Sequence, residues 1–528
     1  MIETLPTIAG GSAWGWLWPT LVLVPLIGGL LMIVTQESLI RRAALGLSVL
    51  TFLLSLLAAS VFAWPADGLM DMQWSRPWID RFGIRFSFAV DSVSVWLILL
   101  TTFLTPLTIL GTWDDAKKRA TEFYLWLLVL EAALIGVFCA ADVVLFYVFF
   151  EMTLVPLFFL IGIFGSANRL YAAYKFFVFT LAGSVFTLAG VLYVAWVASE
   201  RLGAWTFDLG VLTNVAQGMN PTQQGWVLLA LLAGFAVKVP LFPVHTWLPL
   251  AHTEAPTAGS VILAGVLLKL GSYGLYRFAL PMVPQAFVEY APAIAVLCVI
   301  GILYAALVCW VQSDLKRLVA YSSVSHMGFC ILGLVALNPA GVGGSVIYMI
   351  NHGLSTGALF LCVGMLYNRY HTRDMDEMSG IARRMPVWAF FMVYFSLASV
   401  GLPGLNGFVG EFLTIFGTFT ARTHLGPWWA AVAALGLILG AIYTLYMVGR
   451  IAFGPMREPA DAEGHVHDLN RREIAALVPI ALACLVLGIY PTPMLRSFEP
   501  SIDAVTKPAR LVLDQLESPA AVHAGVTP

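Results

Sequence analysis

Residues 234–277 read GFAVKVPLFPVHTWLPLAHTEAPTAGSVILAGVLLKLGSYGLYR. Two hydrophobic segments are joined by a stretch rich in Pro, His and Thr, and each holds one lysine among apolar neighbours, Lys238 and Lys269. Pro240 and Pro243 follow directly on Lys238. A charged amine at membrane depth is costly, so an intramembrane lysine marks a functional site by default. A helix broken by proline at that depth is tolerated only inside protein or beside water. Together these features predict a hydrated site within the membrane where a proton is taken up and released.

The composition agrees with a membrane setting. Of 528 residues, 60% are hydrophobic and 11% charged, and the mean hydropathy is +0.86. Soluble domains carry about 25% charged residues. The chain reads as an all-α, polytopic protein of the lipid bilayer. A formal net charge of -2 gives no electrostatic basis for a nucleic-acid partner. The cysteines, Cys139, Cys298, Cys309, Cys330, Cys362 and Cys484, lie in or at the ends of apolar segments, and no two form a CxxC. That argues against a disulfide framework, a cysteine zinc site and an iron–sulfur cluster. The first residues carry Glu3 and no basic run, and read as a lead into a retained first span.

A membrane span takes about 20 apolar residues, and about 14 such windows run along the chain. Residues 1–120 hold the first three. Residues 121–278 and 279–453 hold five each, and residues 454–528 hold the last span and a tail. The loops 65–89, 199–224 and 454–473 are too short for a separate catalytic module. The window at 387–419 is too long for one straight crossing and contains LPGLNGF from Leu402 to Phe408, so it reads as a second broken helix. Glu151 precedes Lys238 by 87 residues, and His326 precedes Glu411 by 85. Because five spans is an odd number, two matching five-span sets must run in opposite directions. Paired broken helices in inverted repeats point to a transport site. One set of alternate loops holds 17 of the 28 Lys and Arg residues, the other set holds 9, and Lys238 and Lys269 lie inside spans. Positive charge concentrates on cytoplasmic loops, so both termini are expected on the opposite, periplasmic side.

The candidate proton carriers follow from burial. Glu151, in VLFYVFFEMTLVPL, is costly to ionise unless paired, and Lys238 is its natural partner. The plain alternative is an ion pair that only fixes helix packing. Lys269 sits midway along its span, with Arg277 two turns later as the expected interfacial anchor. His326 in YSSVSHMGF and His352 in IYMINHGLS lie in apolar spans with hydroxyls around them, as relays or as satisfied core histidines. Glu411 follows GLPGLNGFVG, close below the second break. Glu131 in LWLLVLEAALIG is a further candidate, with helix packing as its alternative. His245 and His252 flank the Pro-rich stretch as helix caps or as a proton entrance. Their spacing is not that of a metal-ligand pair on a helix. His465 and His467 are weak metal candidates, and no metal site is expected.

KVPLFPVHTWLPLAHTEAPTAGSVILAGVLLKLGSYGLYR resembles the central signature of the antiporter-like membrane subunits of proton-pumping NADH:quinone oxidoreductase, respiratory complex I. DLKRLVAYSSVSHMGF, NHGLSTGALFLCVGMLY and GLPGLNGFVGEFL extend the resemblance over most of the chain. Length, the lack of a long C-terminal lateral helix and Glu411 at the second break favour the type that ends its second broken helix in glutamate over the L-type. The resemblance implies fourteen transmembrane helices in inverted five-helix repeats. It implies a first half-channel at Glu151 and Lys238, a hydrated central axis at Lys269, His326 and His352, and an exit at Glu411. It implies a non-redox subunit of the enzyme, since NADH, FMN, the iron–sulfur clusters and quinone belong to other subunits. The partners would be the L-type and N-type subunits, in a bacterial inner membrane. Leu250 stands where an acid is expected, so no role rests on a loop acid there. Subunits of multisubunit Na+/H+ antiporters and of membrane-bound hydrogenases are similar, and a scaffold with inert ion pairs is the alternative of a different kind.

Overall fold

The computed structural model describes residues 13–64, 68, 70–116, 118–421, 424–459 and 466–517. His465 and the N-terminal lead fall outside the described residues. The N-terminal part has helices α1 (Leu17–Leu31), α2 (Ile40–Val61) and α3 (Ser92–Gly111), with strands β1 (Asp71–Ile79) and β2 (Ile84–Val90) between α2 and α3. The middle part has α4 (Ala120–Cys139), α5 (Val143–Phe164), α6 (Arg169–Leu202), a short α7 (Leu209–Gln217), α8 (Pro221–Lys238), α9 (Trp247–Glu254) and α10 (Thr257–Met282). Then follow α11 (Pro284–Trp310), α12 (Leu315–Val335), α13 (Pro339–Tyr370), α14 (Pro386–Ser399), α15 (Asn406–Thr420), α16 (Pro427–Ala452), α17 (Arg471–Ile489) and α18 (Thr492–Glu517). Among the described residues, 11 helices are long and apolar enough to cross a membrane.

Local sequence sets the helix starts. Asp91, Asp142, Asp314 and Asn338 each cap the helix that follows by accepting a backbone N–H. Asn220 with Gln223, and Asn470 with Glu473, form capping boxes at α8 and α17. Both expected helix breaks are present. The first lies between α8 and α9, over residues 239–246, and the second between α14 and α15, over residues 400–405. α5 is interrupted at Thr153, where the ring nitrogen of Pro156 has no proton for the Met152 carbonyl.

Four features depart from the reading of the sequence. The loop 65–89 contains an antiparallel hairpin, with Trp74 opposite Phe88 and Arg76 opposite Phe86. Its Gly83 has φ 64°, and a Cβ there would stand 2.3 Å from the Trp205 carbonyl oxygen, which excludes any other residue. The loop 199–224 contains α7. The Pro/His/Thr-rich stretch is not only a connection, because α9 forms within it. The tail after the last span folds into α18, 26 residues long, whose Phe498, Ile502, Val505 and Ala509 are buried.

α10 and α13 form the centre, each buried along the whole of its most apolar 18-residue stretch. They touch backbone to backbone: a Cβ on Gly353 would lie 2.6 Å from the Gly265 carbonyl oxygen. Small residues at such contacts are what allow close helix approach in a membrane, where apolar association gives little drive. This contact brings Lys269 of α10 beside His352 of α13.

Candidate functional site

α10 contains two π-helical segments, Leu263–Leu267 and Leu275–Ala279. π-turns recur at functional sites because they reorient side chains and carbonyls. Here the first leaves the Ala264 carbonyl to accept a hydrogen bond from Lys269 Nζ. Lys269 is fully buried, so it does not snorkel. Its Nζ also lies 2.8 Å from His352 Nδ1. The rings of His352 and His326 are 5.7 Å apart. His326 Nδ1 lies 2.5 Å from Tyr348 Oη, and Tyr348 Oη donates to Glu411 Oε1 at 2.5 Å. Four of the six residues expected to carry protons, Lys269, His352, His326 and Glu411, thus line one buried axis with Tyr348 inserted, joined by hydrogen-bond contacts except between the two histidine rings.

Two contacts hold the second break against this axis. Asn351 Nδ2 donates to the Asn406 carbonyl at 2.6 Å, and Asn406 Nδ2 donates to the Asn351 carbonyl at 3.1 Å. Asn406 is the first residue of α15, so the pair ties that half-helix to α13 next to His352. Ser399, the last residue of α14, lies with Oγ 3.3 Å from His326 Nε2.

Gly401 in the break has φ +79°, and a Cβ there would stand 2.1 Å from Glu411 Oε2. Gly401→Ala therefore displaces the carboxylate as well as straining the backbone by about 1–2 kcal/mol. The expected result is an assembled protein with much reduced proton movement, checked by proton uptake in membrane vesicles at matched complex content.

The first half is arranged differently. Lys238 Nζ donates to Thr153 Oγ1 at 3.1 Å and to the Phe150 carbonyl at 3.5 Å, and lies 4.4 Å from the centre of the Phe150 ring. The interruption of α5 is what exposes that carbonyl and hydroxyl. The expected Glu151–Lys238 contact is not formed. The two residues are within electrostatic range, but no ion pair joins them among the described contacts, and Glu151 Oε1 has no hydrogen-bond partner there. The reason is the direction of the lysine, which points along the α5 interruption rather than across to the carboxylate.

The remaining candidates are scattered. Glu131 is buried on α4 with both carboxylate oxygens lacking a partner among the described residues. His245 packs against Phe242 and Tyr304 beside the first break. His252 is fully buried within α9 rather than on a loop, flat against Phe360. Arg277 is not an interfacial anchor. It is 6% exposed and ion-paired to the fully buried Asp91 at 2.6 Å. Capping α3 places Asp91 opposite the second π-segment of α10, which a reading of one span at a time does not reveal.

Sequence reasoning missed Tyr348, Ser399, Thr153 and Lys316. A signal existed for Tyr348, which stands one helical turn before His352 in IYMINHG and so shares its face.

Helices broken inside the bundle around a buried axis of amine, imidazole, phenol and carboxyl groups define a polytopic membrane protein with ionisable groups gathered in its interior. Residues 140–445 match the family described as NADH:quinone oxidoreductase/Mrp antiporter, TM, and the chain belongs to that family. It is 42% identical over 479 residues to NADH-quinone oxidoreductase subunit M of Rhodobacter capsulatus, covering 88% of this chain and 89% of the relative. A chain in the structure of respiratory complex I from Thermus thermophilus with bound NADH superposes with a TM-score of 0.83 at 32% identity, covering 93% of this chain and 99% of that one. The Mrp complex from Dietzia sp. DQ12-45-1b includes a chain with a TM-score of 0.81 at 20% identity, covering 96% and 100%. That last likeness is one of fold.

Proposed function

We propose that the chain is a proton-translocating, antiporter-like membrane-arm subunit of a NADH:quinone oxidoreductase, and that protons move along Lys269, His352, His326, Tyr348 and Glu411. The buried axis through Tyr348 is the observation that carries this reading. Each member both takes and gives a proton, and the contacts on either side of Tyr348 are of hydrogen-bond length. Glu151 and Lys238 form the first half of the pathway, where a movement of the lysine from Thr153 toward the carboxylate would alter its readiness to release a proton. Counting each broken helix as one span gives fourteen, and the matching breaks support two inverted repeats over 121–278 and 279–453. The subunit is non-redox and holds no flavin, iron–sulfur cluster, quinone or metal. Its partners are other membrane-arm subunits, notably the L-type and N-type, in a bacterial inner membrane, and both termini lie on the periplasmic side, the orientation that the Lys and Arg asymmetry of its loops supports.

The fold shared with the Mrp complex raises sodium–proton exchange as the second reading. A hard cation such as Na+ prefers several oxygen ligands, as Ca2+ and Mg2+ do. The axis presents amine and imidazole nitrogens at its centre, which favours protons.

Tyr348→Phe tests the proposal. The substitution keeps the ring and removes only the hydroxyl between His326 and Glu411. With the complex assembled, NADH-driven proton uptake is expected to fall about 10²-fold, the lower end of what a positioned proton-transfer group contributes. Uptake at the native rate would show that protons do not pass through Tyr348, and sodium-dependent proton movement without NADH oxidation would favour exchange.

A further inference from the structure

We propose that the crevice between α8 and α11 is a binding site for an aminophospholipid, with the lipid's ammonium group on Glu289 and an acyl chain along Leu229, Leu232 and Leu297. The site is separate from the proton axis and does not depend on how protons move.

The crevice has a volume of about 450 Å³. It lies where two helices start side by side, α8 at Pro221 and α11 at Pro284, with Gln224 Oε1 of the first accepting the Gln285 N–H of the second at 3.1 Å. Its lining runs from Pro221 to Leu232 on α8 and from Glu289 to Leu297 on α11. At 1.5 Å per residue, the step from Trp226 to Leu232 is about 9 Å and that from Tyr290 to Leu297 about 10 Å. The chemistry changes along that depth. Thr222, Trp226, Glu289 and Tyr290 stand near the helix starts, and leucines lie below them. Trp and Tyr are the side chains that mark the headgroup level of a bilayer. Trp226 and Tyr290 are 67% and 47% exposed, so both rings are open to a ligand. A Cβ on Gly225 would meet only the Tyr290 side chain, at 3.8 Å, so the α8 backbone leaves the mouth clear. Below the mouth, Val296, Ile300, Tyr304 and Leu307 of α11 are exposed. An apolar outer face of that kind is what contact with hydrocarbon requires.

Glu289 sets the sign of the headgroup. It makes no hydrogen bond or ion pair among the described residues, and no Lys, Arg or His lines the crevice there. Arg201 donates instead to the Val215 and Gly218 carbonyls, at 3.3 and 3.2 Å. A carboxylate at headgroup level without a basic partner favours a cationic group over an anionic one, and the faces of Trp and Tyr add to that attraction. A primary ammonium brings N–H donors to the carboxylate, whereas a trimethylated one brings none. The lipid phosphate lies toward Thr222, in the first turn of α8, where a helix start favours negative charge. The acyl chain then fills the gap between α8, which carries Lys238, and α11.

The experiment uses the purified complex in detergent with phosphatidylethanolamine, phosphatidylcholine or phosphatidylglycerol, each carrying the same photoreactive diazirine in one acyl chain. Labelled residues are located by mass spectrometry of peptides, with labelling elsewhere on the chain as the reference. Phosphatidylethanolamine is expected to label residues 226–232 and 293–297 about tenfold more than the other two lipids, the scale of one hydrogen bond to a charged group. Glu289→Gln should bring that labelling down to the level of phosphatidylcholine. Because Glu289 has no partner among the described residues, the variant is expected to fold and assemble. Equal labelling by the three lipids, or phosphatidylethanolamine labelling unchanged in Glu289→Gln, overturns the proposal. So does an unlabelled crevice in which a carbodiimide joins Glu289 to a lysine of another subunit, since a protein partner then covers this face.

Discussion

Membranes carrying Lys269→Ala are expected to contain the assembled complex and to lose proton uptake by about 10²-fold or more, the range of a positioned proton-transfer group. Lys269 is the one amine on the axis, fully buried between the Ala264 carbonyl and His352. Its removal leaves His352 Nδ1 and that carbonyl without a donor, a cost of about 1–3 kcal/mol for each buried group left unsatisfied. Complex content must therefore be measured in the same membranes. Lys269→Arg separates charge from proton release. It restores a buried cation and a donor, but a guanidinium holds its proton, so pumping should remain lost while assembly recovers. If Lys269→Arg pumps at the native rate, Lys269 contributes a fixed charge and does not carry the proton.

The largest loss of stability is expected from Asp91→Leu, at about 3–5 kcal/mol, the cost of stripping a buried charge of its partner. Asp91 is fully buried and pairs with Arg277 at 2.6 Å, at an angle outside hydrogen-bond geometry. Its other oxygen accepts the Ser94 N–H at 2.8 Å and so caps α3. Loss of that cap adds about 1 kcal/mol. Tyr273 belongs to the same cluster: its hydroxyl accepts from Arg277 Nε at 3.4 Å and lies 2.8 Å from Ser94 Oγ. Thermal unfolding of the solubilised complex is the measurement. Asp91→Leu with Arg277→Leu should recover most of the loss, because replacing both members of a buried pair by apolar residues is often neutral. A double variant no more stable than Asp91→Leu alone would show that the cap and the Tyr273 contacts carry the stability instead.

Much of this protein was legible before the structure. Lys238 and Lys269 are conspicuous because a cation among apolar residues has few benign explanations in a membrane. Pro240, Pro403 and the glycines around them mark the two breaks, since backbone chemistry at those residues is nearly independent of context. Glu411 could be placed beside the second break by counting turns alone. The hairpin over residues 71–90 was missed because Arg76 and Pro77 in β1 and Arg85 in β2 dilute the alternation of its strands. α18 was missed because its apolar stripe is one-sided and too polar to read as a span.

The sequence by itself determined the class of fold, the position of each break and the identity of the ionisable groups inside the membrane. Those depend on hydropathy, on proline and glycine, and on the cost of burying charge, all of which act residue by residue. The tertiary structure decided which of those groups meet. It joined Lys269 to His352 through the Gly265–Gly353 contact and a π-segment. It inserted Tyr348 between His326 and Glu411, turned Lys238 toward Thr153 instead of Glu151, and buried Arg277 against Asp91. Each of these is a contact between residues far apart in the chain, set by how closely two helices approach and where each side chain points. No periodicity within a single helix encodes either quantity.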